Sequence, residues 1–486
     1  MAGLRRLADG CLLPGFTGTE PPDWLLRRLA GGLGGVTLFA RNVRDPEQVA
    51  ALTAQLRAER PDALIAIDEE GGDVTRLEAA RGSSYPGNLA LGVAGDLDLT
   101  RAVASALGAD LAAAGVNLDL APVADVNSNP DNPVIGVRSF GAEGRLVADH
   151  TVAFVEGLQS RGVAACVKHF PGHGDTAVDS HLALPVVADG EEALETALLP
   201  FRVPAWDANP ATISRPILTG VLRERLGFRG LVVTDGLEMA AIQLTVGLAS
   251  GAVRALAAGA DAICVGGGLA GQEVVDLLAG ALAEAVASDE LSEERLAEAS
   301  ERVAAVARWA AAVRQPPSPL AGDGRGGGWA RAGGTEERAV GLDAARLAVR
   351  SRGLEPLGRA PVVAELRPEP GMAVGVVPWG LAEVLAERDP SVTALRLDGE
   401  PGVDDVLAAA AGRPLVLVGR DLHRYRPHAA AVDAVLACRP DAVVVEMGLP
   451  AHPPAAARAY VATHGAGRVN ALAAADLLRP EERETR

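Results

Sequence analysis

Across residues 1–310, short runs of aliphatic and β-branched residues alternate with longer stretches rich in Ala, Leu and Glu. GVTLF (35–39), ALIAID (63–68), VNLDLAPV (116–123), VAACVKH (163–169), ATIS (211–214), LVVTD (231–235) and DAICV (261–265) read as strands. Stretches such as 49–59 and VASALGADLAAA (103–114) read as helices between them. Continuously apolar strands separated by helices predict a parallel sheet covered on both faces. At this length the pattern favours a TIM-like (β/α) barrel over a doubly wound sheet. No GxGxxG opens the first strand–helix unit, which weakens a dinucleotide-binding alternative. Residues 315–334, QPPSPLAGDGRGGGWARAGG, are Pro/Gly-rich without apolar periodicity and read as a linker. Beyond them, LAVRS (347–351), AVGVVP (373–378), PLVLVG (414–419) and DAVVVEMG (441–448) predict strands of a smaller α/β unit. The expected organisation is a barrel over 1–314, a linker over 315–334 and a C-terminal α/β sandwich domain over 335–486.

Composition narrows the function classes. A chain of 486 residues exceeds what one hydrophobic core organises, so at least two domains are expected. A hydrophobic share of 49% excludes wholesale disorder. The net charge of -18 makes the chain a poor non-specific binder of nucleic acid or anionic membrane. Cys11, Cys166, Cys264 and Cys438 are scattered with no CxxC, which points to free thiols in a reducing compartment. The opening MAGLRRLADGCLLPGF lacks an apolar core, and no segment approaches about 18 unbroken apolar residues. Neither export nor membrane spanning is expected, and the location expected is cytoplasmic.

In a parallel barrel, chemistry gathers just past the C-terminal ends of strands. Here one strand runs into Asp68-Glu69-Glu70-Gly71-Gly72, another into Lys168-His169 and a third into Asp235. The segment KHFPGHGDTAVDSH (168–181) packs one lysine, three histidines and two aspartates between a strand and the next helical run. So long a connection is costly unless it acts as a lid or carries chemistry. His169, His173, Asp175 and His181 match no HExxH or other strong zinc pattern, so no metal and no cofactor is expected. Asp179 and His181 stand two apart, where a carboxylate can orient an imidazole and raise its pKa toward proton donation. A solvated surface pair is the other reading of the same two residues.

KHFPGHGDTAVDSH, LVVTDGLEM (231–239), IDEEGGDVTRL (67–77), VIGVRSFG (134–141), GVTLFARN (35–42) and SSYPGNLALG (83–92) together resemble glycoside hydrolase family 3. Within it they resemble the bacterial β-N-acetylglucosaminidase (β-N-acetylhexosaminidase) branch. The resemblance covers about 1–310, and the second unit is similar to the α/β sandwich of two-domain members. It implies a retaining exo-hydrolase that removes terminal β-linked N-acetylglucosamine from a small oligosaccharide or muropeptide in cell-wall turnover. It further implies Asp235 as the covalent nucleophile and His181, oriented by Asp179, as the acid/base. Asp68, Arg76, Arg138, Lys168 and His169 match sugar-binding residues of the family. Neither nucleic acid nor membrane is an expected partner, and monomer and homodimer both stay open. Phosphorolysis in place of hydrolysis is a related alternative.

The chain departs from the family at two places. The usual DQEGGRV is here DEEGGDV, so Glu69 and Asp73 replace a neutral and a basic residue. In addition, Arg202 runs directly into Val203, where relatives carry a helix end and a strand resembling VMTAH. Seven strand candidates therefore stand where a barrel has eight, and FRVPA (201–205) is expected to fill the slot as a short irregular strand. A catalytically impaired sugar-binding protein is the alternative that this gap raises.

Overall fold

The computed structural model describes residues 1–176, 210–313, 335–369, 371, 374–399 and 402–479. Asp179, His181, the Arg202–Val203 junction, FRVPA and the linker stretch 315–334 lie outside the described residues.

The first unit is built from parallel strands in chain order. Strands β2 (Gly35–Leu38), β3 (Leu64–Ile67), β4 (Leu118–Asp119) and β5 (Ala164–Ala165) form one sheet, and β1 (Leu12–Pro14) pairs with β6 (Ile263–Val265). The Thr37 hydroxyl donates to Leu13 O at 3.2 Å and so ties β1 to β2. A parallel bridge joins Val123 to Lys168 beyond β4 and β5, and another joins Val233 to Ala262 beside β6. The result is the expected barrel arrangement, in which first and last strands meet.

Side-chain alternation explains why these short strands are apolar throughout. Leu13, Leu64, Ala66, Leu118, Ala164 and Ala262 point inward and fill the barrel, whose far end is closed by Val303 and Ala307 of the helix Glu293–Val313. Leu12, Val36, Leu38, Ile65, Ile67, Ile263 and Val265 point outward into the core shared with the surrounding helices. Both faces of each strand are thus dry.

Three expectations for this unit are corrected. LVVTD is not a regular strand: within it only Val233 makes a bridge, to Ala262. ATIS is not a strand either: Ala211–Ile213 is a 3-10 turn. Ile213 N donates to Pro210 O and Ser214 N to Ala211 O, so these amides are satisfied locally and are not available to a ladder. Conversely, Leu12–Pro14 is a strand that the pattern did not single out. It has three residues, follows directly on the helix Ala2–Gly10, and ends in a proline that cannot donate to a ladder.

The second unit is a six-stranded mixed sheet in the order β7-β12-β11-β10-β8-β9, with β7 (Arg350–Arg352), β8 (Val362–Arg367), β9 (Thr393–Asp398), β10 (Leu415–Gly419), β11 (Val443–Glu446) and β12 (Ala459–Ala462). Only the β12–β7 pair is antiparallel. Val362, Ala364, Leu415, Leu417 and Val444 pack into a core on one face, and Val363, Val416, Val418, Val443 and Val445 into a core on the other. The expected strand AVGVVP is not one: the described residues 374–378 are turn and irregular backbone, with Val376 fully exposed. LAVRS is half correct, because Leu347 and Ala348 end the helix Thr335–Ala348 and only Arg350 onward is strand. That helix touches both units. Ala344 packs into the barrel core and Ala345 against Val469 and Ala473 of the last helix.

Candidate active site

Strand ends bring charged residues together at one mouth of the barrel. Lys168, just past β5, places its ammonium between two carboxylates, 2.6 Å from Asp68 Oδ1 and 2.7 Å from Glu70 Oε1. Arg138, from the turn after β4, grips Glu70 with two parallel hydrogen bonds of 2.9 and 2.8 Å. This fork geometry fixes direction as well as charge. Next to it, His169 Nδ1 lies 2.6 Å from Asp125 Oδ2, and Arg138 approaches His169 Nε2 at 3.5 Å. That pattern assigns the imidazole proton to Nδ1, donated to Asp125. The main chain locks Asp125 as well, since His173 N donates to its Oδ1 at 2.7 Å.

The charge states follow from these contacts. Burial alone would raise the Asp68 carboxyl, but the Lys168 and Arg76 charges outweigh it and hold Asp68 below the usual range. Glu70, also buried, is held lower still by Arg138 and Lys168. Asp125 is depressed by His169 against the opposing effect of burial. Lys168 and Arg138 are raised, because the carboxylates more than offset their desolvation. Asp68, Glu70, Asp125, Lys168 and Arg138 are therefore charged at neutral pH. Behind it, burial pushes Glu69 up to about 7 and Asp119 well above the carboxylate range. Glu69 Oε2 accepts from Arg76 N and Leu77 N, and Asp119 Oδ1 accepts from Glu69 N at 3.0 Å. This pair fixes the loop after β3 from within.

Asp235 follows the Val233 bridge and is an exposed acid of this mouth, its Oδ1 accepting from Gly236 N at 2.7 Å. Backbone bonds from Thr234 N to Ala262 O and from Leu237 N to Cys264 O hold its position on both sides. Asp68 follows β3 directly and Asp235 follows the parallel Val233–Ala262 bridge, so both lie at the C-terminal end of the parallel strands. Burial pushes Cys166 up to about 11, which leaves that thiol protonated and unreactive.

The loop 169–176 is pinned to the loop after β4. Asn132 Nδ2 donates to His173 O at 2.8 Å and to Thr176 O at 2.9 Å, and Ser128 Oγ donates to Asp175 Oδ1 at 2.8 Å. His173 shares a hydrogen of 2.6 Å with Thr176 Oγ1, and burial lowers its pKa. His173 and Asp175, considered above as ligands, thus serve to fix this loop. It leads toward Asp179 and His181, which lie outside the described residues. Arg76 reaches the other way, its Nη1 3.3 Å from Val374 O of the second unit.

Of the residues singled out from sequence, Asp68, Lys168, Arg138 and His169 are joined in one network, and Asp235 stands at the same mouth. Glu70 was named at its strand end but given no role, and Asp125 was not singled out, yet both connect the network. The strand-end rule reaches Asp125 as well, since it follows the strand VNLDLAPV by two positions. Glu238 was also missed. Its Oε1 accepts from Gly266 N, Gly267 N and Gly268 N and holds the loop after β6.

The comparisons with known proteins agree with this geometry. Residues 27–306 match the family described as "Glycosyl hydrolase family 3 N terminal domain". The chain is 35% identical over 329 residues to "Beta-hexosaminidase A" of Pseudoalteromonas piscicida, covering 59% of this chain and 55% of that protein. It therefore spans just over half the length of that relative. It is 39% identical over 251 residues to a "Beta-hexosaminidase" of Methylococcus capsulatus, covering 48% of this chain and 75% of the relative. Among solved structures, a glycoside hydrolase family 3 β-N-acetylglucosaminidase from Paenibacillus sp. superimposes with a TM-score of 0.87 at 32% identity, covering 98% of this chain and 96% of that one. The chain belongs to glycoside hydrolase family 3, in its bacterial β-N-acetylhexosaminidase branch.

Proposed function

We propose that this protein is a retaining exo-β-N-acetylhexosaminidase that releases terminal β-linked N-acetylglucosamine through a covalent intermediate on Asp235. The observation that carries the proposal is the exposed Asp235 carboxylate at the same barrel mouth as the ionised Asp68–Lys168–Glu70–Arg138 network. An oxocarbenium-like transition state needs an anionic carboxylate on one face of the sugar and a proton donor at the leaving oxygen. Asp235 supplies the first. His181, oriented by Asp179, supplies the second and later activates the water that hydrolyses the glycosyl-enzyme. Asp68, Arg76, Lys168, Arg138 and His169 bind the terminal sugar. Lys168 and Arg138 present buried donors, and charged donors in a dry site discriminate strongly among hydroxyl patterns.

The substrate is a small N-acetylglucosamine-terminated oligosaccharide, with muropeptides as the natural source, acted on in the cytoplasm. Among the described residues no helix is long and apolar enough to cross a membrane. The barrel over 1–314 carries the chemistry, 315–334 links, and 335–486 forms the second domain.

The test is a panel of chromogenic β-N-acetylglucosaminide, β-N-acetylgalactosaminide and β-glucoside, with and without phosphate, alongside labelling by a 2-fluoro sugar. Turnover of the first substrate without phosphate, with the label mapped to Asp235, is expected. A strict phosphate requirement would make the enzyme a phosphorylase, and a label on another residue would remove Asp235 as nucleophile.

A further inference from the structure

Asp73 is one of the two residues at which this chain departs from DQEGGRV, and its charge is opposite to the usual one. The side chain is buried, and Ala466 N of the second domain donates to its Oδ1 at 2.6 Å. The Arg420 guanidinium, at the end of β10, lies 2.6 Å from its Oδ2. Arg420 is itself largely buried, and the Asp73 and Asp421 charges hold its pKa up against desolvation.

The backbone around Asp73 is equally committed. Gly71 and Gly72 have positive φ values of 77° and 57°. A Cβ on Gly72 would lie 2.6 Å from Gly87 Cα, and one on Gly467 would lie 3.1 Å from Gly72 Cα. The loop is thus packed backbone to backbone, between the barrel on one side and the second domain on the other. The same few residues hold Asp68 and Glu70 at their start and Arg76 at their end, and Arg76 meets Val374 O of the second domain.

We infer that the second domain acts as a positioning element for the sugar-binding loop 68–76, and that Asp73 and Arg420 are the positioning residues that transmit it. The inference rests on the sugar-binding role proposed above for Asp68 and Arg76. Asp73 and Arg420 are turned toward each other across the domain boundary and away from solvent. They hold the tip of a loop whose two ends present Asp68, Glu70 and Arg76 to the sugar. A displacement of about 1 Å in such a shell is enough to cost on the order of 100-fold in rate.

The experiment compares Arg420→Gln, Asp73→Asn and the double variant in the full-length chain. Arg420→Gln leaves a buried carboxylate with no counter-charge. It is expected to raise KM for the chromogenic β-N-acetylglucosaminide about tenfold and to lower kcat/KM by up to about 100-fold. Backbone amides of residues 70–77 should exchange with deuterium at least about tenfold faster, while those of β3 stay unchanged. Asp73→Asn keeps the acceptor for Ala466 N and should show the smaller effect. The double variant removes both charges together and should recover most of the loss. A folded Arg420→Gln with wild-type KM and wild-type exchange in 70–77 overturns the inference. So does faster exchange spread evenly through the second domain with KM unchanged. If the wild-type protein turns over none of the test sugars, the proposed function fails, while the exchange measurement still decides whether the loop depends on the Arg420–Asp73 pair.

Discussion

Both sheets of this molecule carry acidic residues at strand ends, yet Glu446 in the second domain and the acids around Lys168 in the barrel are held differently. Glu446, the last residue of β11, accepts from Asp421 N, Leu422 N and Gly448 N. This carboxyl caps the backbone of the next loop. Burial, reinforced by the nearby Asp421 charge, pushes Glu446 up to about 8 in spite of its three backbone donors. At the barrel mouth Asp68 and Glu70 meet cations instead. Lys168 and Arg138 take Asp68 and Glu70 and keep them ionised, and Asp235 is left open to solvent. Position at a strand end is therefore common to structural and functional acids. The partner separates them: backbone amides tie a carboxyl to its own loop, whereas side-chain cations beside an open face leave charged groups that a ligand can engage.

The largest expected effect tests the functional side directly. Asp235→Asn keeps shape but removes the carboxylate proposed as nucleophile, and kcat should fall by about 10⁴-fold or more with little change in melting temperature. Turnover within about tenfold of wild type would place Asp235 with the structural acids.

The opposite end of the barrel offers the converse case. Asp261 is fully buried and pairs with Arg295 at 2.6 Å, with Arg302 at 2.9 Å and with Arg223. Asp261→Ala leaves three guanidinium groups without their shared anion. It should cost about 3–5 kcal/mol of stability in a denaturant titration, with kcat per folded molecule unchanged. A loss of turnover without a loss of stability would break the division between the two ends.

Lys168→Gln comes next. It should lower kcat/KM by about 100-fold, since the cation that joins Asp68 and Glu70, and is proposed to bind the sugar, is gone. Lys168 holds the Asp68 and Glu70 carboxyls low, so both should rise on its removal, Asp68 more because Glu70 keeps Arg138. The acidic limb of the pH–rate profile should then move to higher pH. An unmoved limb would mean that neither carboxylate needs to be ionised for activity.

Glu446→Gln is the smallest and sharpens the structural side. A carboxyl raised from 4.5 to about 8 binds its proton more tightly in the folded state. Its stabilisation is complete below pH 4.5 and is lost as pH rises toward 8. The variant should show a flatter fall in melting temperature over that window, with unchanged turnover. An identical slope in both proteins would show that Glu446 is ionised in the folded chain.

The chain itself determined the barrel and most of its mouth. Period and composition were enough for β2 to β6, because a strand dry on both faces has to be almost wholly apolar, as Leu64–Ile67 and Ile263–Val265 are. The glycines and acids of IDEEGGDVTRL and the KHFPGHGD segment were legible for a related reason: tight backbone and buried charge admit few residue types. Only the tertiary structure decided the rest. β1 is a strand because it meets β6 some 250 residues later, a pairing that three residues ending in proline do not announce. ATIS has strand-like residues but satisfies its amides within its own turn. Asp73 read as a reversal of local charge until Arg420, from another domain, was found beside it. Sequence records which groups must be paired, but pairing is a property of distance, and the chain closes those distances only when it folds.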